Sequence, residues 1–502
     1  MITNMKKIQY KKLTIIIILI GILIRFYLAS VHHVSGDACW HLSVSRFLVE
    51  NKKLPLFEPL GRQEPFWAPP LFHIMAAFLY LAFGIYNPRT AEFGIKLLSP
   101  IFGSLTLMLV YLINRKLFNE KITFFSMLFT TFIPIFIDYH VFSYVDGTLT
   151  FFSVLSIYFA LEDKFVKSSV AAGLAALTKY NGIFVLPILI YITYKNTKNK
   201  RILIKKLAII FLVPILIASP WFIRNYVNFG NPFWPLMNFI FHGIGTNIFA
   251  SAELQKFSLA RIFNVNSIIF TYLAIFGVPD GNYKNIFFFK MPYIKILFTI
   301  WMLATLFFIL PFARSFSSKD KSKSRFLLIW ILSYAMVLVL YIGNVGWTAT
   351  RFFLPAIPAL GMLYGMGMDN INFKWKSLNR IFYFVVFLIV IGFIFAESAK
   401  IVLASREWGK YKEDFAWIRE NTGKNDLILP GDQCLAYYTH RGTLSQTSEN
   451  LKKADYVFVN QNFNLEKRSI IKSDLLKEVE YNNYKVAYSN QKTGTTIYSK
   501  SS

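Results

Sequence analysis

The stretch Leu13-Thr14-Ile15-Ile16-Ile17-Ile18-Leu19-Ile20-Gly21-Ile22-Leu23-Ile24-Arg25-Phe26-Tyr27-Leu28, preceded by Lys6, Lys7, Lys11 and Lys12, decides the fold class. It has membrane-spanning reach, carries lysines on its near side and lacks a small-residue cleavage signature. Those features predict a retained first helix with a cytoplasmic N-terminus. Similar apolar runs recur along the chain to about residue 395. Of the 502 residues, 55% are hydrophobic and 18% aromatic, whereas only 16% are charged, against about a quarter in a soluble globular domain. A soluble enzyme, a disordered chain and a disulfide scaffold are all excluded. The expected class is a polytopic α-helical membrane protein.

The net charge of +27 does not argue for nucleic acid. Residues 399–502 are nearly balanced, and most of the basic excess lies in short loops between apolar segments, where it orients helices. After the first helix, a polar loop over residues 30–92 falls on the outer face. Within it the apolar stretch 70–84 is short for a span and is expected to lie along the membrane surface. Further spans are expected at 93–113, 122–137, 148–161, 170–178, 183–194, 207–220, 293–312, 326–342, 352–368 and 381–395, eleven with the first. This arrangement keeps the basic loops 114–121, 162–167, 195–206, 314–325 and 369–380 cytoplasmic, as the positive-inside rule demands. The resulting division is a membrane domain over 1–398, including the outer loop, and a polar tail over 399–502. A helical pattern at 411–421 and strand-like runs at 427–429, 456–459, 484–488 and 495–498 make that tail a small extracytoplasmic α/β domain. The abundance of Lys, Asn, Ile and Phe fits an A/T-rich, prokaryotic genome and hence the cell membrane.

Charged groups near a membrane are costly, so the outer ones are candidates for function. Asp37 lies in Ser35-Gly36-Asp37-Ala38-Cys39-Trp40-His41, where Gly36 allows a tight turn and His41 would fall one helical turn on. It can cap that helix, or act as a general base on an acceptor hydroxyl. Asp146, in Tyr144-Val145-Asp146-Gly147-Thr148, opens another helix on the same side, again as a cap or as a ligand for an acceptor or metal. The loop Gly61-Arg62-Gln63-Glu64-Pro65-Phe66-Trp67-Ala68-Pro69-Pro70-Leu71-Phe72-His73 reads as interfacial, and leaves Glu64 and His73 free to point into a site. Basic residues on the outer side are few. Lys179, Arg224 and Arg351 either snorkel to headgroups or clamp a lipid-linked phosphate. Cys39 and Cys434 form no metal-binding spacing; a single bridge between them stays open. No Walker loop, GxGxxG, GxSxG or HExxH motif occurs.

In this order the motifs resemble the GT-C glycosyltransferases, in particular the protein O-mannosyltransferase and aminoarabinose-transferase branch. The resemblance rests on the first-loop Asp37, Pro69-Pro70-Leu71, Asp146, Thr178-Lys179, Pro220-Trp221-Phe222-Ile223-Arg224-Asn225-Tyr226 and Arg351-Phe352-Phe353-Leu354-Pro355, across roughly residues 10–370. It implies a GT-C-like fold that moves a sugar from a polyprenyl-phosphate donor to an outer-face acceptor, which is a protein, a lipid-linked glycan or a polymer. Asp37 would be the base of an inverting displacement. Lys179, Arg224 and Arg351 would bind the donor phosphate, and Asp146, Glu64, His73 and His41 would bind acceptor or donor. Many relatives carry Asp-Glu in the first loop where this chain has Asp37-Ala38, so the second acid's role is unassigned, with Glu64 as its candidate replacement. Dependence on a divalent metal is left unknown. Competing readings are a lipid or solute transporter and an oligosaccharyltransferase-like enzyme; the Trp-Trp-Asp-Tyr-Gly motif of the latter is missing.

Overall fold

The computed structural model describes residues 2–59, 65–84, 88–244, 258–277, 305–317, 320–345, 349–445, 447–460, 479 and 482–500. Two compact units emerge. The first comprises Met1–Ser30, Ala68–Phe72 and Leu97–Lys400, and the second comprises Val31–Trp67, His73–Lys96 and Ile401–Ser502.

The first unit is helical and apolar. Among the described residues, six helices are long and apolar enough to cross a membrane: Ile8–Val31, Thr90–Leu117, Lys200–Phe229, Lys321–Gly343, Thr350–Asn370 and Lys376–Gly409. The helical membrane class expected from the sequence is thus observed. Most of the expected span 293–312 lies outside the described residues. The expected surface stretch is the 14-residue helix Leu71–Gly84, short of the roughly 20 residues a span requires. The long helix Lys200–Phe229 shows how these elements are specified. Asn199 caps its start by accepting from the backbone N–H of Arg201 and Ile202, and Gly230 ends it in the left-handed region at φ 71°. Leu212, Leu216 and Val227 stand 65%, 72% and 74% exposed along it, as suits a surface facing hydrocarbon rather than water.

Within this unit the broken helix at Ile133 creates a specific demand. The helix Glu120–Phe132 ends where Ile133 turns extended, and Pro134, which has no N–H, starts the short helix Pro134–Asp138. Backbone carbonyls at such a break need new donors in a dry interior. Arg25, fully buried in the first helix, supplies them: its Nη2 donates to the Thr131 carbonyl at 2.9 Å and to the Phe136 carbonyl at 3.4 Å. A second device is close approach. Gly361 and Gly365, spaced four apart on the helix Ile357–Asn370, let that helix lie against Glu120–Phe132. A Cβ on Gly361 would stand 2.0 Å from Thr130 Oγ1, and one on Gly365 2.5 Å from the Ile122 carbonyl oxygen.

The second unit carries the sheet. Its five strands are β1 (Leu427–Leu429), β2 (Gly442–Thr443), β3 (Tyr456–Asn460), β4 (Tyr484–Asn490) and β5 (Thr495–Lys500), ordered β2-β1-β3-β5-β4. The β1 pairings with β2 and β3 are parallel, and β5 runs antiparallel to β3 and β4. The four strands and the helix expected here are present, the helix as Lys412–Asn421; β2 escaped the sequence because two residues carry no alternation. Asp414 is buried at the helix start and accepts from Tyr488, Asn490 and Thr495, which ties the helix to the two antiparallel strands.

Gly365→Val should lower stability in detergent by about 3 kcal/mol, because the added carbons meet backbone rather than a movable side chain. Gly392→Val, at a position with nothing within 4 Å, should leave the melting temperature within a degree or so of wild type. Thermal melts of the two purified variants compare them directly.

Candidate active site

Asp37 opens the helix Asp37–Asn51, and the residue in the cap position is Gly36, at φ 59°. Only glycine enters that backbone region without strain, which explains the Gly-Asp order. The Asp37 side chain is half-buried, and its Oδ1 accepts from Gln433 Nε2 at 3.3 Å. Gln433 begins the tail helix Gln433–Thr439, whose own cap is Asp432, accepting from the N–H of Cys434 and Leu435. Next to both residues Cys39 and Cys434 form a disulfide, with Cα atoms 5.0 Å apart. The aspartate and its glutamine partner are therefore held by a covalent bond two residues from Asp37 and one residue from Gln433.

One turn beyond Asp37, His41 is buried, with Nδ1 3.0 Å from His73 Nε2. Trp40 lies edge-on to both imidazoles and stacks on Phe66 and Trp67 at centroid distances of 5.6 and 5.5 Å. Aromatic rings of the loop after the first helix thus wall the histidine pair. Glu64 lies outside the described residues.

In the first unit, the remaining candidates gather. Asp146 sits in the first turn of the helix Val145–Leu161, 1% exposed, and Lys179 Nζ donates to its Oδ1 at 2.7 Å. Lys179 follows the helix Phe165–Thr178 in extended conformation, which directs it away from the helix axis. Its ammonium lies 4.1 Å from the centroid of the Phe352 ring. The Arg351 guanidinium stacks on Tyr144 at 5.2 Å and lies 5.7 Å from the Phe352 centroid, so two cations contact one aromatic ring. Arg224 stacks between Trp221 and Phe229, 4.8 Å from each centroid, and donates to Asn225 Oδ1 at 2.9 Å.

Tyr180 joins these groups and was missed in the sequence reading. Its hydroxyl accepts from Trp221 Nε1 and from Asn225 Nδ2, each at 3.0 Å, and donates to the Trp234 carbonyl at 2.9 Å. The segment carrying Arg224 is thereby bonded to the residue next to Lys179. The adjacency Lys179-Tyr180 was the available signal, but nothing in a linear sequence marks a tyrosine as a junction. A second buried charge cluster was also unflagged: Lys400 Nζ lies 2.7 Å from Asp138 Oδ2 and also pairs with Glu397.

No group of three or more His, Cys, Asp or Glu side chains among the described residues is placed to hold a metal. Lys179, Arg224 and Arg351 thus each lie against aromatic rings, and Asp37 is a half-buried carboxylate.

Residues 68–223 match the family model described as dolichyl-phosphate-mannose-protein mannosyltransferase. An uncharacterized protein of Aquifex aeolicus (strain VF5) is 30% identical over 209 residues, 41% of this chain; the match spans about half of that relative, 47% of its length. The crystal structure of ArnT from Cupriavidus metallidurans bound to undecaprenyl phosphate matches with a TM-score of 0.61 at 15% identity, over 96% of this chain and 97% of that one. The archaeal oligosaccharyltransferase AglB from Archaeoglobus fulgidus, in complex with an inhibitory peptide and a dolichol-phosphate, matches with a TM-score of 0.58 at 14% identity, over 97% of this chain and 74% of that one. At these identities the structural likeness establishes a common fold.

Lys179→Met should cost about 3–5 kcal/mol, because it strands the Asp146 carboxylate in a dry site. Adding Asp146→Asn should restore most of that loss. Melting curves of the two single variants and the double variant close the cycle, and an additive double variant would remove the ion pair from the account.

Proposed function

Taking the chain as a membrane protein with the GT-C glycosyltransferase fold, we propose that it transfers a sugar from a polyprenyl phosphate to an acceptor at the outer face of the membrane. The observation that carries this reading is the convergence of Lys179 and Arg351 on Phe352, with Arg224 bonded into the same region through Asn225 and Tyr180. Such an array offers a dry, cationic seat for a phosphate. The polyprenyl phosphates bound in the ArnT and AglB structures support a lipid donor.

In this mechanism Asp37 takes the proton of an acceptor hydroxyl. The freed oxygen lone pair forms the new bond at the anomeric carbon, and the bond from that carbon to the phosphate oxygen breaks with inversion. The leaving polyprenyl phosphate gains one negative charge. Lys179, Arg224 and Arg351 offset that charge, an effect magnified by low dielectric. Asp146 positions the Lys179 ammonium and partly neutralises it before the donor arrives. Gln433 and the disulfide hold Asp37 in place. His41 and His73, buried and bonded to each other, brace the helix that begins at Asp37.

The disulfide also supports an orientation. Bridges persist in oxidising compartments, so the second unit belongs outside the cytoplasm and the lysine-rich N-terminus inside. On intact cells, a membrane-impermeant maleimide should label a Lys424→Cys variant, at an exposed position of the second unit. Labelling that requires cell lysis would reverse the orientation.

Asp37→Asn should reduce transfer by about 10³-fold or more, without change in expression or melting temperature. Product formation is measured with purified protein and a native lipid extract as donor source. Near-normal transfer by this variant removes Asp37 as the base. Lipid mass spectrometry is the companion test: wild type should retain a polyprenyl phosphosugar that an Arg224→Ala/Arg351→Ala variant loses.

A further inference from the structure

The second unit contains a cavity of about 310 Å³, the size of a small-ligand pocket. It is lined by residues 32–34 beyond the first helix, by Glu92, Phe93 and Lys96, by Arg419, and by Tyr437, Tyr438 and His440 of the tail. The helix that bears Tyr437 and Tyr438 is the one whose Gln433 bonds Asp37. Val34, three residues before Asp37, lines the cavity and accepts from the Tyr438 hydroxyl at 2.6 Å.

The charges of this cavity do not cancel. Glu92 is the single acid in the lining, and it is already engaged: it accepts from Arg46 Nη1 at 3.4 Å and from the Tyr437 hydroxyl. Lys96 and Arg419 line the space, Lys96 Nζ donating to the His32 carbonyl at 2.9 Å and Arg419 Nη1 to the Tyr438 carbonyl at 2.6 Å with their other N–H groups remaining to meet an anion, and the charge of Lys412 reaches both His33 and Lys96. The three imidazoles add no charge near neutral pH. Burial, with Lys96 nearby, takes His32 down to about 3; burial, with Lys412 and Lys96, takes His33 to about 4; burial, with Arg46, Arg419 and Arg441, takes His440 to about 3. They are neutral hydrogen-bonding groups, and His440 Nε2 lies 2.7 Å from Arg46 Nη1, where it can accept. The cavity thus pairs fixed cations with aromatic rings and neutral imidazoles. An apolar ring face packs on the tyrosines, hydroxyls meet the imidazoles, and an anionic substituent meets the guanidinium and ammonium.

We propose that this cavity is an acceptor subsite for an acidic sugar, a saccharide unit carrying a carboxylate or a phosphate ester. The proposal rests on the glycosyltransferase reading for the word acceptor, and on the cavity alone for the binding of an acidic saccharide. It assigns the acceptor to anionic glycans and makes Arg419 a specificity residue.

The test uses the full chain in nanodiscs made of neutral lipid, with glucuronate, glucose 6-phosphate and glucose as probes in saturation-transfer NMR titrations. The two acids should bind at least tenfold more tightly than glucose. Arg419→Ala, an exposed position that should not impair folding, should weaken the acids about tenfold and leave glucose unchanged. Arg419→Lys should recover part of the loss, because charge persists without the guanidinium fork. Equal binding of glucose and the acids, or indifference to Arg419→Ala, overturns the subsite. Nanodiscs containing phosphatidylglycerol distinguish the other source of anionic chemistry: Arg419-dependent displacement of glucuronate by that lipid assigns the cavity to a lipid headgroup instead. Arg419-dependent binding by a wild-type protein that transfers no sugar would retain the cavity as an acidic-sugar site and overturn the enzyme reading.

Discussion

A buried carboxylate in a membrane protein must bring its own cation, and the Asp146–Lys179 pair is the point on which the first unit's polar chemistry depends. The two groups, 2.7 Å apart, come from the start of one helix and the end of another. Removing either leaves the other charge in a medium that cannot solvate it. The pair therefore fixes the relative positions of two helix ends, and with them Tyr180 and the Phe352 ring that Arg351 also contacts. The same constraint recurs at Arg25, which bonds the carbonyls beside a broken helix, and at Lys400 between Asp138 and Glu397. Each is a polar group whose cost of burial is offset by a partner from a different helix.

The fold class was legible because burial in hydrocarbon writes itself directly into composition and run length. Helix ends were less legible: the expected spans 207–220 and 381–395 are the longer helices Lys200–Phe229 and Lys376–Gly409, because polar residues extend a helix beyond its apolar run. The candidate residues were legible one at a time: a carboxylate or a cation beside an apolar run is conspicuous wherever it falls. Their associations were not. Asp146 and Lys179 are 33 residues apart and Asp37 and Gln433 are 396 apart, and no local pattern pairs them. Tyr180 is invisible for a different reason, since a tyrosine in an aromatic-rich chain carries no signal until its hydroxyl is seen to bond three groups. Arg25 was hidden inside the run that identified the first helix.

The second unit joins pieces that the linear order separates widely. The loop after the first helix and the tail share a disulfide, the Arg46–Glu92 pair bonded to Tyr437, and a hydrogen bond from Tyr438 to Val34. The tail carries the five-stranded sheet, and its helix Gln433–Thr439 presents Gln433 at one end and two tyrosines further along. A loop that would otherwise need only to link two helices is held by a folded domain, as the general base proposed at Asp37 would require.

The bridge between Cys39 and Cys434 also sets an order of events during synthesis. Its two halves lie 395 residues apart, near opposite ends of the chain. In the outward-facing orientation proposed for this unit, Cys39 emerges early and must remain a thiol while the remaining membrane helices are inserted. The bond can close only once the tail has been delivered to the same side. Assembly of the outer unit is therefore a checkpoint on completeness: a truncated chain, or one inserted with a helix missing and its tail on the wrong side, never acquires the bond that braces Asp37.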